Sequence, residues 1–394
     1  MIKYLYIFYL TILVGCASTS SFNAGIGVID IFGDYPTCQV DLKEIADIEY
    51  VPLETTDSSL LTRMCVRYNI SDKYIITCGR YTGDIFFFTR SGKFLHKINR
   101  QGNGPEEYTG LHNLVIDFET EECLVYDRPR KKVNIYSFEG VYRRSFPWMI
   151  ANLLPWYNLN KDYLIGYYDS FSYKNQCCED THPYYLMSKK DGKLTPLNLT
   201  VPNGLSSTLT IIKEKLGPGE TLFNRFALPI DPLLTNADEA LIAEFSLDTL
   251  YSFKEGRLLP LAVKTPSAHS TKPLTVLAPE LYTDSFLFFR VVPMYYDKSD
   301  HYKPYEEAAK LIWNRKTNQV ENWDIYNSDI DGPITRYPLS RSDGFLDKNM
   351  GILLYSAETV INLYNEGKLK GKLKDIASKL DEEDNYVLVI AKYK

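Results

Sequence analysis

The sequence lacks the short motifs that mark the common catalytic sites. It has no G-x-S-x-G, no H-E-x-x-H and no spaced EF-hand loop, which removes the usual basis for a serine hydrolase, a metalloprotease or an EF-hand protein. None of the seven cysteines belongs to a C-x-x-C pair, as a zinc ribbon or a redox site would require. We therefore predict no catalytic residue, no metal and no cofactor.

Positive charge is also in short supply. Lysine and arginine number 44 against 50 acidic residues, giving a net charge of −6, and no extended basic tract could hold many phosphates. The sequence thus predicts no nucleic-acid partner.

Aromatic residues, by contrast, are abundant at 14%, with 31 tyrosines. So many tyrosines exceed any catalytic use and are typical of β-sheets with one solvated face.

The first residues resemble an export signal. Lys3 precedes an apolar run over residues 4–14, and Gly15 stands directly before Cys16. This pattern predicts a lipoprotein signal peptide over residues 1–15, a lipidated Cys16, a tether over residues 16–30 and the folded domain over residues 31–394. The membrane would then be a partner through the lipid anchor. An ordinary secretory signal or a single anchoring helix remains possible, but neither requires a cysteine at this position.

After the tether, the chain repeats a pattern of strand, polar turn, strand, glycine turn and strand. The equivalent turns fall at Gly92, Gly140, Gly192, Gly256 and Asn318, which are separated by 48, 52, 64 and 62 residues. A period of this length with several strands per repeat predicts an all-β fold and specifically a β-propeller. The longer intervals indicate insertions in the later blades.

The end of the chain has a different pattern. Apolar residues at helical spacing between residues 357 and 380 predict one amphipathic helix or two short ones. Residues 386–391 then form an apolar strand, and residues 48–53 form another near the amino terminus. We expect these two strands to share a sheet, because a propeller leaves open edges unless its first and last blades are joined. Five internal repeats and this closing blade predict six blades.

One turn carries a family resemblance. Residues 102–108 read G-N-G-P-E-E-Y and precede the apolar segments 111–117 and 124–127. This order is similar to an NHL-type blade, and more closely resembles the six-bladed β-propeller lipoproteins of Bacteroidetes. The resemblance implies the same fold over nearly the whole mature chain. In lipoproteins of that phylum, acidic residues after the cysteine mark surface export. Residues 17–21 have none, which favours the outer membrane facing the periplasm.

The candidate ligand-binding features of the sequence are glycine-rich turns, histidines, arginines and aromatic residues. The 102–108 turn suits either an anion-binding loop or, with more support, a connection between blades. Of the five histidines, His112 alone precedes an inner-strand pattern. Arginines recur about once per blade, where they would either bind an anionic ligand at the axis or pair with neighbouring acids. The candidates are Arg63, His112, Arg225, Arg290 and Arg336.

Aromatic residues cluster between the second and third repeats, at Trp148, Trp156, Tyr157, Tyr167 and Tyr168. They would stack on sugar rings if exposed, but core packing is the favoured interpretation. As a whole, the sequence predicts an extracytoplasmic lipoprotein that acts as a non-catalytic binding or assembly scaffold for a glycan, peptide or protein. The alternatives are a lyase or hydrolase with an axial site, metal-dependent in one version, and a sensor or export accessory.

Overall fold

The computed structural model describes residues 26–61, 67–79, 82–148, 153–168, 182–201, 210–217, 220–226, 231–272, 274–293, 308–332 and 346–394. For residues 153–155, 168, 210–217 and 220–226 it describes the backbone alone. The amino-terminal segment contains β1 (Gly27–Asp30), β2 (Thr37–Asp41), the short helix α1 (Leu42–Ile45) and β3 (Ala46–Pro52).

Three four-stranded antiparallel sheets follow in chain order. Blade one comprises β4 (Tyr68–Ile70), β5 (Tyr74–Gly79), β6 (Asp84–Thr89) and β7 (Phe94–Asn99). Blade two comprises β8 (Asn113–Asp117), β9 (Glu122–Asp127), β10 (Lys132–Ser137) and β11 (Tyr142–Pro147). Blade three comprises β12 (Leu153–Asn158), β13 (Tyr163–Tyr168), β14 (Tyr184–Ser188) and β15 (Leu194–Pro196). A hairpin of β16 (Thr210–Gly217) and β17 (Glu220–Phe226) separates them from the next blade.

Three further blades complete the ring. Blade four contains β18 (Leu233–Asn236), β19 (Glu239–Ile242), β20 (Thr249–Lys254) and β21 (Arg257–Thr265), followed by a short 3₁₀ turn (Ala268–Ser270). Blade five contains β22 (Thr275–Tyr282), β23 (Phe286–Pro293), β24 (Ala309–Asn314) and β25 (Gln319–Tyr326). Blade six contains β26 (Met350–Tyr355), β27 (Val387–Tyr393) and β3. The fold is a six-bladed β-propeller, as the sequence predicted.

The five repeated turns connect the third and fourth strands of blades one to five. Gly92, Gly140, Gly192 and Gly256 have φ values of +89°, +80°, +74° and +76°, and Asn318 has +59°. This left-handed conformation favours glycine and is tolerated by asparagine. At the first three turns, the glycine also lies against the outer strand of the preceding blade, so that an added Cβ would meet Pro52, Ile98 or Phe146. The repeat period identified these turns correctly.

The ring is closed by β27, the middle strand of blade six. It pairs antiparallel with β26 on one side and with β3 on the other, with Val389 opposite both Leu353 and Tyr50. Its side chains are buried except at Lys392. The predicted pairing of the two chain ends is confirmed, and the last strand is central in its sheet.

The amino-terminal segment does more than close blade six. β1 pairs parallel with β21 as a fifth strand of blade four, and β2 pairs parallel with β25 as a fifth strand of blade five. The segment therefore runs along the outside of three consecutive blades before it reaches β3. Residues 27–30, which the sequence analysis assigned to the tether, are part of a sheet, so the ordered strands begin four residues before the predicted boundary at residue 31.

Two short helices lie between β26 and β27 along the chain. Helix α2 (Ala357–Asn365) begins at Ser356, whose side chain accepts a hydrogen bond from the backbone N–H of Thr359, and α3 (Gly371–Ala377) follows. Val360, Leu363 and Leu373 are buried against the closing sheet. The helical spacing in the sequence thus marks two helices that cover the face of blade six.

The aromatic residues between blades two and three belong to the core. Trp148, Trp156, Tyr157 and Tyr167 are all buried, and the Trp148 ring packs edge-on against Trp156 with centroids 5.6 Å apart. These four rings are thus not available to stack on a sugar. The side chain of Tyr168 lies outside the described residues. Cys38, Cys78 and Cys123 are free thiols.

Candidate functional site

The glycine-rich loop at residues 102–108 connects blade one to blade two. Its polar groups form hydrogen bonds within the loop. The Gly104 N–H donates to the Glu107 carboxylate at 2.7 Å, and the Gly102 N–H donates to the Tyr108 carbonyl at 3.0 Å. Side chains of blade two satisfy the loop carbonyls, since Arg130 donates to Gly104 and Glu107. These bonds support the interpretation as a blade connection, because the N–H groups that would hold an anion are already engaged.

His112 stands directly after this connection, at the start of β8. The first strands of neighbouring blades lie side by side, β8 with β12 and β18 with β22, so β8 is the strand nearest the axis. The Nδ1 atom lies 3.1 Å from the Gly110 carbonyl oxygen. The Gly110 carbonyl can accept only from a protonated Nδ1, whereas the Arg128 backbone N–H can donate only to an unprotonated one, so Nε2 is an acceptor in the first tautomer and a donor in the second. No partner for Nε2 occurs in the described ranges.

Two arginines accompany His112 at this end of the channel. Arg67, directly before β4, donates from its guanidinium to the Asn113 side chain, which links the starts of the first two inner strands. The backbone N–H of Arg128 lies 3.5 Å from Nδ1 of His112, and the Arg128 side chain is exposed. Among the residues with described positions, nothing pairs with its guanidinium. Arg67, His112, Asn113 and Arg128 form what we term the blade-two mouth.

Sequence reasoning found only His112 of these four residues. Arg67 was detectable in principle because it immediately precedes an apolar inner strand. The sequence analysis predicts Arg63 as the ligand-binding arginine of this segment and not Arg67. Arg128 lies in a turn between β9 and β10 that comes back beside His112 only in the folded blade. No sequence pattern near Arg128 indicates that this turn lies beside His112 in the fold.

The other predicted arginines are not brought together with His112 by the described structure. Arg290 lies in β23, where its Nε forms an ion pair with Glu280 of the neighbouring strand β22. Its charge is thus locally compensated. Arg63 and Arg336 fall outside the described residues, and for Arg225 only the backbone, in β17, is described.

Two buried lysines were not anticipated from the sequence. Lys264 donates from Nζ to the Phe245 carbonyl at 2.7 Å, and burial lowers the pKa of Lys264 to about 8. Lys189 lies 2.6 Å from the Asp117 carboxylate, and burial lowers the pKa of Lys189 against the attraction of that carboxylate. Each ammonium is enclosed by groups that it satisfies, so both lysines join neighbouring segments and do not form an open site.

A groove of about 550 Å³ lies at the junction of blades six and one. Helix α3 forms one wall, and the Gly92 turn and residues 52–55 form the other. Its charged side chains include Lys372 and Lys379 beside Asp375 and Asp384. Because its lining carries charges of both signs, the groove does not select a ligand charge.

No three His, Cys, Asp or Glu side chains come together as a possible metal site among the described residues. None of the described helices has the length and apolar character needed to cross a bilayer.

A comparison with models of protein families identifies the family to which the chain belongs. A model described as "Domain of unknown function (DUF4934)" matches residues 27–392. The chain belongs to the DUF4934 family. The matched region starts at the first residue of β1 and ends one residue before the end of β27, so the amino-terminal strands that run along blades four and five are part of the family domain. No curated protein matches this DUF4934 chain.

Solved structures share the propeller fold. A protein from Bacteroides fragilis NCTC 9343, described as exported, superposes with a TM-score of 0.58 at 13% identity, covering 94% of this chain and 100% of its own. A member of the DUF4221 family from Bacteroides vulgatus ATCC 8482 gives a TM-score of 0.43 at 10% identity, covering 70% and 84%. At these identities, the first likeness supports the fold of the DUF4934 chain, and the second is too distant to add to it.

Proposed function

We propose that this protein is a lipid-anchored, extracytoplasmic propeller that binds an acidic glycan at the blade-two mouth without transforming it. The observation that carries the binding role is the exposed side chain of Arg128 in a turn whose backbone N–H lies 3.5 Å from Nδ1 of His112, beside the axial strand β8. An acidic sugar supplies the complementary groups: a carboxylate for the arginine and a ring hydroxyl for the imidazole.

The proposed location rests on the amino terminus. Cys16 follows a cationic and apolar segment that suits a lipoprotein signal. The exported Bacteroides fragilis protein of the same fold supports an extracytoplasmic address. The absence of acidic residues at positions 17–21 favours the outer membrane facing the periplasm.

The charge balance of the site supports an anionic ligand despite the acidic chain. Arg67 and Arg128 each contribute a guanidinium group to the blade-two mouth, Arg67 through its hydrogen bond to Asn113 and Arg128 from the turn beside His112. Local cations raise the concentration of anions near them, independently of the net charge of the molecule. A peptide with a free carboxylate would share this attraction but would lack the ring hydroxyls that suit His112.

A binding comparison on immobilised glycans tests the proposal. The purified protein is applied to uronic-acid-containing oligosaccharides and to their neutral counterparts. We expect retention on the acidic set only, with about tenfold weaker binding for Arg128→Gln, since a charge-assisted hydrogen bond contributes about 1.5–3 kcal/mol. Arg257→Gln is the matched control, because Arg257 is an exposed arginine at the start of the outer strand β21. Equal binding to neutral glycans, or equal loss in the control variant, would contradict the proposed site.

A further inference from the structure

We propose that the outer edge of blade four lies against the bilayer, so that the propeller stands edge-on and both ends of its channel stay open to the surrounding space. The surface concerned consists of Ile26, Val28, Phe32 and Leu259, and we term it the edge patch. The inference rests on the proposed lipid anchor at Cys16. It adds the orientation of the ring and a second contact with the lipid.

The edge patch consists of apolar side chains on the outer face of β1 and directly beside this strand. Ile29 and Ile31 point inward and are buried in the core shared by blades four and five. The alternate residues point outward, and Ile26, Val28 and Phe32 are 51%, 62% and 59% exposed. A strand at a sheet edge in contact with water normally carries polar or charged residues on its outer face. Apart from Asp30, this outer face is apolar, and no described protein segment covers it.

The exposed apolar side chains of the described residues are concentrated at the edge patch. Of the nine large hydrophobic residues that are exposed in the described part of the chain, four lie on β1, just beside it, or on the adjoining strand β21. The others are spread over several blades: Leu60, Leu95, Val141, Tyr163 and Tyr326. Scattered apolar residues are normal on a protein surface, whereas a contiguous group marks a contact.

The length of the intervening chain selects the lipid surface as the occupant. Only residues 17–25 separate Cys16 from Ile26. Nine residues can span at most about 30 Å, even when fully extended. A lipid on Cys16 therefore keeps the edge patch close to the membrane, while the inner strands lie four strands farther into blade four.

The charge around the patch defines the kind of contact. Asp30 and Asp34 are exposed beside Val28 and Phe32, so anionic lipid headgroups would be repelled and not attracted. The contact is apolar and shallow, with the side chains placed at the boundary between headgroups and acyl chains. Zwitterionic vesicles are accordingly the suitable probe.

Tryptophan quenching in the lipidated full-length protein tests this orientation. The four native tryptophans are buried, so an added surface tryptophan reports its own surroundings. Phe32→Trp is compared with Val141→Trp, whose native side chains are 59% and 58% exposed. Both proteins are reconstituted into phosphatidylcholine vesicles, with and without lipids brominated near the top of the acyl chains.

The expected result is about a twofold loss of the added fluorescence for Phe32→Trp in brominated vesicles, because interfacial side chains lie about 5–10 Å into the boundary region. No loss is expected for Val141→Trp. Mass spectrometry of the amino-terminal peptide establishes lipidation in the same samples. Lipidated protein with equal quenching at both positions, or with none, would overturn the edge-on orientation alone. Protein without lipid on Cys16 would overturn the anchor and, with it, this inference.

Discussion

The ammonium of Lys189 lies 2.6 Å from Oδ2 of Asp117, and both side chains are almost fully buried. Lys189 follows the third strand of blade three, and Asp117 ends the first strand of blade two, so the pair joins adjacent blades. Asp117 also accepts hydrogen bonds from the Glu119 and Thr120 N–H groups at its own turn. The turn that follows β8 and the contact between blades two and three therefore depend on the same carboxylate.

Replacing one member of this pair should be costly. Lys189→Met leaves the Asp117 charge buried without its cation, and we expect the free energy of unfolding to fall by about 3–5 kcal/mol. The double variant with Asp117→Asn should recover part of the loss, since the amide can still accept from the turn. Urea denaturation measures both. Lys370→Met is the control: its partner Asp331 and Lys370 itself are 55% and 57% exposed, and the loss should stay below about 1 kcal/mol.

Lys264 should make stability depend on alkaline pH. Its pKa is about 8 in the folded protein against 10.5 ordinarily, so the buried charge destabilises the fold fully below pH 8. Between pH 8 and 10.5, unfolding takes up a proton, and the free energy of unfolding rises with pH by up to about 3 kcal/mol from this group. Above pH 10.5, Lys264 is neutral in both the folded and the unfolded chain and no longer destabilises the fold. Comparing the wild type with Lys264→Met across this window isolates the effect. A difference between the two proteins that does not change with pH would show that Lys264 keeps its ordinary pKa.

Two glycines at equivalent turns should respond differently to alanine. Gly92 and Gly256 both have positive φ, but a Cβ on Gly92 would lie 2.1 Å from the Pro52 carbonyl oxygen, whereas Gly256 faces open space. Gly256→Ala should cost about 1–2 kcal/mol, from its backbone conformation. Gly92→Ala should cost clearly more, because the backbone of β3 must move. Thermal melts of the two variants give the comparison, and similar midpoints would mean that the turn does not press on β3.

Loss of the last strand should prevent stable folding. Ending the chain at Asn385 removes β27 from the middle of blade six and exposes the edges of both β26 and β3. We expect an insoluble or strongly destabilised product. Removing residues 17–24 should leave folding intact, since these residues lie before β1. Thermal melts of the two shortened proteins, both without the signal peptide, test this expectation. Equal midpoints would show that the closing strand is peripheral.

The sequence revealed those parts of the fold that repeat or lie at the chain ends. The turns at Gly92 and Gly140 were visible because positive φ selects glycine, and β27 was visible as an apolar run that needs a sheet. The parallel addition of β1 to blade four was not visible, because its partner, Ala262–Thr265, lies more than 230 residues away and short edge strands carry no repeat signal.

The candidate site was less accessible to sequence reasoning. His112 was found from its place before an inner strand, but Arg128 reaches it only through the turn between β9 and β10. The ion pair of Lys189 with Asp117 likewise depends on the packing of two blades. Such contacts arise from tertiary structure, and neither residue type nor local spacing marks them.

Lipid attachment at Cys16 is the most direct test of the account, because both the location and the orientation of the propeller depend on it. The protein and its Cys16→Ala variant are produced in a bacterium with a lipoprotein pathway and labelled with a radioactive fatty acid. We expect label and membrane association in the wild type, and neither in the variant. A variant that remains labelled and membrane-bound would contradict the account.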